Sequence, residues 1–156
     1  MALVWFVGRS RRINKEKARI EQELHRIEQV LQSIPTPVRQ ALNDVEEEFH
    51  KSDFYLSIRK RIAAGEHLKK TDWDAIDARL QSVYPGFGSR LMSLYSMSPV
   101  EYQVCLLLKL GATLSEIATV LCKDASSIST VRSRLYGKVF GKKGGSKEWD
   151  DFIRSL

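Results

Sequence analysis

Ser98–Phe140 reads SPVEYQVCLLLKLGATLSEIATVLCKDASSISTVRSRLYGKVF, and this stretch decides the fold. Ser98-Pro99-Val100-Glu101 is a capping box with proline at the first helical position, where its missing N–H costs nothing. Thr113-Leu114-Ser115-Glu116 is a second capping box. Gly111 stands where a left-handed residue closes a helix. The apolar residues recur at helical spacing in three stripes: Val104, Leu107 and Leu108; Ile117, Ala118 and Leu121; Ile128, Val131 and Leu135. These signals predict a helix after Ser98, a short helix at Leu114–Leu121, a tight turn at Cys122–Ala125 and a second helix from about Ser126 to Val139. Ala118 is small where two helices must approach closely. Cys122 occupies a turn position that favours glycine, so a wider turn is expected there.

The last of these helices has an unusual outer face. Opposite its apolar stripe lie Ser126, Ser129, Thr130 and Ser133, with Ser127 beside them and Arg132 and Arg134 flanking. Ser126–Lys143 contains five basic residues and no acid. Short hydroxyls let a helix sit deep in the major groove and bond to bases or phosphates. Arg132 and Arg134 suit bidentate contacts to guanine or phosphate, and Lys123, Lys138, Lys142 and Lys143 suit the DNA backbone. A polar stripe by itself marks only a solvated helix face; joined to the turn signals, it points to DNA.

These residues carry a resemblance. Ala118, Ile128 and Val131, supported by Ile117 and Leu121, match the pattern of the LuxR/GerE-type and sigma-factor-like helix-turn-helix superfamily. Thr130–Leu135 is similar to the end of the promoter-reading helix of sigma factors. Trp73–Leu156, with YPGF, SSIS, RLY, KVFGKKG and WDDFI, resembles the C-terminal region of Bacteroidetes membrane-anchored regulators that carry tetratricopeptide repeats. The resemblance implies double-stranded DNA as the partner and a helix-turn-helix as the reading element.

Composition agrees. The 156 residues are 43% hydrophobic, which suffices for a core, and the net charge is +6. The excess is concentrated: Ser96–Lys147 holds eight Lys or Arg against three acids, as a polyanionic partner requires. Cys105 and Cys122 lie in or beside apolar stripes and read as buried free thiols of a reducing cytosol. His25, His50 and His67 are scattered without metal-ligand spacing. Neither a phosphate loop nor a nucleophile–base constellation is present. No metal, cofactor or enzymatic activity is expected.

The N-terminal half reads as helices. Residues 2–7, ALVWFV, precede Arg9, Arg11 and Arg12. Six apolar residues are too few to span a bilayer, which needs about 20. Residues 1–10 therefore read either as a locally packed terminus or as the end of a membrane helix cut off upstream, with its arginines on the cytoplasmic side. Residues 11–34 carry a heptad seam of Ile13, Lys17, Ile20, Leu24, Ile27, Leu31 and Ile34. A parallel homodimer through it would oppose Glu16 to Glu21 and Glu23 to Glu28. The other reading packs this helix on its own chain, with Arg59-Lys60-Arg61 as the ionic partner. Pro35 and Pro37 end the helix, and Thr36 is expected to cap the next, with Val38, Leu42, Val45 and Phe49 on one face. Thr71 and Ser146 are expected to cap later helices, and Gly141–Gly145 to form a flexible basic loop. Trp149, Phe152, Ile153 and Leu156 give the last helix an apolar face.

The expected fold is all-α: a long heptad helix at 11–34, a helical linker or bundle at 35–95 and a helix-turn-helix domain at 96–156. The expected function is sequence-specific DNA binding as the cytoplasmic output module of a bacterial transcriptional regulator. The alternative is a helical interaction module for RNA polymerase or a partner regulator.

Overall fold

The computed structural model describes residues 2–156, with side chains from Ile13 onward. The described residues are all-helical: α1 Ala2–Ser33, α2 Thr36–Lys51, α3 Asp53–Ala63, α4 Lys70–Val83, α5 Phe87–Leu94, α6 Pro99–Lys109, α7 Leu114–Val120, α8 Ala125–Phe140 and α9 Ser146–Ser155. No described helix is long and apolar enough to cross a membrane. The backbone of Ala2–Val7 is part of α1, while the side chains on which its membrane reading depends lie outside the described residues.

Contacts divide the chain into Met1–Val45 and Glu46–Leu156. The boundary expected at residue 95 is corrected. Ile58, Ile62, Ile76 and Leu80 share one core with Val104, Leu107, Ile117 and Ile128, so the middle helices belong with the C-terminal ones. In the first unit the seam of α1 is solvent-exposed, with Ile13 at 56% and Leu24 at 55%.

The second unit is built around α6. Val104, Cys105, Leu106, Leu107 and Leu108 are all buried. A helix that is apolar all round is a central one, and α4, α8 and α9 pack against it. Both predicted capping boxes form. The Ser98 hydroxyl accepts from Glu101 N at 3.3 Å, and the Thr113 hydroxyl from Glu116 N at 3.2 Å. The Glu116 carboxylate accepts in turn from Thr113 N at 2.9 Å and meets Arg59 of α3 at 3.3 Å. The cap bond and Arg59 hold its carboxyl below the usual range. Arg61 takes Asp72 and Glu66 as partners at 2.9 Å each, so both arginines of the basic segment have partners within their own unit.

Three caps differ from expectation. Thr71 lies inside α4. Asp72 binds both Lys69 N, at 2.8 Å, and Arg61, and this starts the helix at Lys70. The Arg61 bond holds the Asp72 carboxyl down at about 2. Ser146 is the first residue of α9, after Gly145. Thr36 is the first residue of α2, where Val38 N and Arg39 N donate to the Pro35 carbonyl.

The two cysteines separate. Cys105 is fully buried, and desolvation pushes its thiol up to about 12. Cys122 is exposed, which corrects its reading as a buried thiol. Its turn is also not widened. Lys123 N donates to Ala118 O at 2.9 Å and Cys122 N to Thr119 O at 3.1 Å, the paired bonds of a Schellman closure. Cys122 supplies the left-handed residue, at φ 53°. The two bonds outweigh the cost of a Cβ in that region, about 1–2 kcal/mol. Cys122→Gly is therefore expected to raise stability by about 0.5–1 kcal/mol, read as a higher thermal midpoint, whereas Cys122→Ala should give no gain.

Candidate nucleic-acid interface

α7 and α8 pack on one another across the Leu121–Asp124 turn. Ala118, 6% exposed, is buried on α7. Ile128, Val131 and Leu135 turn the apolar side of α8 inward. Helical spacing then presents Ser126, Ser127, Thr130, Arg134 and Lys138 to solvent, with Ser129 and Ser133 half-buried at the margin. Thr130 Oγ1 donates to Ser126 O at 2.9 Å. Its methyl group and its acceptor capacity remain for a partner.

The Gly141–Gly145 loop is docked on this helix and does not hang free. Gly141 closes α8 in the left-handed conformation, at φ 66°, with its N–H on Gly137 O at 2.9 Å. Gly144 lies so close to Tyr136 that a Cβ there would come within 1.9 Å of the ring. This close approach, which a side chain at Gly144 would obstruct, packs the loop against Tyr136. The docking folds Lys142 and Lys143 back toward α8. One open groove is lined by Ser129, Thr130, Ser133, Arg134, Lys142 and Lys143, floored by glycines, with no carboxylate in its lining.

A second groove adjoins the first. Thr130 and Arg134 line both, and Ser127 and Lys123 join them in the second. Ser98, Val100 and Glu101 at the start of α6 complete it. Sequence patterning did not associate these α6 residues with the site, because only packing brings the α6 N-terminus beside α8. Ser126 and Lys138 are exposed but line neither groove.

Arg132 is the main correction. It is 6% exposed and paired with Asp150 of α9, also buried. Arg132 Nε donates to Asp150 Oδ1 at 2.7 Å, and Nη2 donates to Asp150 Oδ2 and toward Ser146 O at 3.5 Å. Its Nε and Nη2 are engaged inside the protein and its side chain is buried, so it belongs to the interior and not to the outer face. A signal for this existed. Position 132 is i+4 from Ile128 and i−3 from Leu135, which puts it on the apolar side of the helix.

Among the described residues no cluster of His, Cys, Asp and Glu is arranged to hold a metal ion. Comparison with protein-family models, curated proteins and solved structures gave no match.

Proposed function

We propose that this chain binds double-stranded DNA as the output module of a transcriptional regulator, with α8 in the major groove. The observation that carries the reading is the α8 groove, where three cations and three hydroxyls converge without a carboxylate. Ser129, Thr130 and Ser133 would meet base edges or phosphates, Arg134 would reach guanine or phosphate, and Lys142 and Lys143 would grip the backbone. This arrangement is consistent with the resemblance to LuxR/GerE-type and sigma-factor-like helix-turn-helix domains. The function places the module in the cytoplasm, whether free or attached to an inner-membrane protein.

The test is fluorescence anisotropy on random-sequence duplex DNA at two salt concentrations, followed by selection from a random pool. Binding should fall steeply with salt. Lys142→Gln with Lys143→Gln should weaken all duplexes alike and reduce the log–log salt slope by about 2. A changed preference with an unchanged slope would overturn the assignment of these lysines to the backbone.

So few contacts bind weakly as a monomer, and the exposed seam of α1 suits a dimer stem that would present two half-sites. Burial of each seam leucine contributes about 1.5–3 kcal/mol. The like-charged glutamates cost a few tenths each (~0.2–0.5 kcal/mol), so the seam prevails. Leu24→Lys with Leu31→Lys is expected to convert a dimer to a monomer in sedimentation equilibrium without changing the melting of the Glu46–Leu156 unit.

The same exposed seam favours the second reading, an interaction module for RNA polymerase or a regulator. Absence of duplex binding at low salt would select it.

A further inference from the structure

The α8 grooves continue onto a surface that the motif does not include. Lys123 and Val100 line the second groove, and both also line a third concavity beside it. The far side of that concavity is formed by His67, Lys70 and Trp73, from the α3–α4 connection and the first turn of α4. Lys70, His67 and Lys123 are exposed, while Trp73 is half-buried as a wall. Among the lining residues Asp74 is the single carboxylate.

Each concavity shares side chains with the next, so the surface is contiguous. It runs from Lys142 and Lys143 through Arg134 to Lys123 and on to Lys70. Ser127 to Arg134 alone covers about 10 Å of helix, a length over which a DNA strand presents about three phosphates. A rigid polyanion lying along α8 would pass the α7–α8 turn and meet the start of α4 next. The position of Lys70 is held by independent bonds: Asp72 anchors the start of α4 to Lys69 N and to Arg61.

We infer that Lys70, with Lys123, forms a second phosphate clamp that extends the DNA contact beyond the helix-turn-helix onto the N-terminus of α4. The inference rests on the DNA-binding reading of α8 and adds to it a positioning contact outside the motif. The clamp contributes affinity and register without reading bases.

The experiment compares the full chain with Lys70→Gln and Asp74→Asn on one random-sequence duplex across a salt series, with hydroxyl-radical footprinting on a selected site. Lys70→Gln should lower the log–log salt slope by about 0.9, the value of one phosphate. It should also remove protection at one edge of the footprint and leave the protection centred on α8. Asp74→Asn should tighten binding to all duplexes. Matching thermal midpoints establish that both variants fold. If Lys70→Gln leaves slope and footprint unchanged while Lys142→Gln/Lys143→Gln reduces the slope, the second clamp is overturned and the α8 reading stands. If the unaltered chain binds no duplex at low salt, both are overturned.

Discussion

Asp150→Asn is expected to destabilise the Glu46–Leu156 unit by about 3–5 kcal/mol, the cost of leaving a buried guanidinium without its counter-charge. Arg132 and Asp150 are both buried, and their two-pronged pairing ties α8 to α9. A unit of this size has a total stability of about 5–15 kcal/mol, so the loss takes a large share of it. Urea unfolding followed by tryptophan fluorescence reads the effect, because Trp149 is buried one residue from Asp150 and Trp73 packs on the same core. The pair itself is not expected to be the main source of stability. Arg132→Met with Asp150→Leu removes both charges and fills the space, and should recover most of the loss. The double variant also settles the role of Arg132. With the fold retained, its duplex affinity should stay within about twofold of the unaltered chain, well under the 1.4 kcal/mol that a tenfold change represents. A tenfold loss in a folded double variant would return Arg132 to the DNA-reading set.

Arg134→Ala is expected to give the largest loss of DNA affinity among single substitutions on α8, about 1–3 kcal/mol. Arg134 is exposed, makes no internal ion pair among the described residues and lines both α8 grooves. Ser129, Ser133, Lys123, Lys142 and Lys143 each line one. Because its side chain makes no internal ion pair among the described residues, the substitution should leave the unfolding free energy within about 0.5 kcal/mol of its starting value. Anisotropy on a selected site and on a scrambled one separates its two roles. A loss confined to the selected site marks a base contact, and an equal loss on both marks a phosphate contact. No loss on either would remove Arg134 from the interface.

The two arginines differ by two positions, and helical geometry explains their divergence. Two residues along a helix is a rotation of about 200°, so Arg132 joins the apolar stripe of Ile128 and Leu135 while Arg134 faces away. Counting basic residues treats them alike; phasing them against the stripe separates them. Cys122 shows a different gap. A turn at Cys122–Ala125 was legible from the helices on either side, but not that it would close tightly with a non-glycine residue at φ 53°. That outcome depends on the two closing bonds outweighing a local strain.

What the sequence determined by itself was local. Both capping boxes, the helices they start, the inward stripes of α7 and α8 and the all-α class follow from residues three or four positions apart, whose interactions the helix itself creates. The heptad seam of α1 was legible in the same way, from its seven-residue repeat; that it lies exposed came only from the structure. Tertiary structure decided the ionic partners and the surface. Arg132 found Asp150 eighteen positions away because α9 docks on α8. Lys142 and Lys143 reached the hydroxyl face because Gly144 lies against Tyr136. Lys70 came beside Lys123 because α4 packs on α6. Such placements depend on how helices pack across one core, and near-neighbour periodicity carries no term for that.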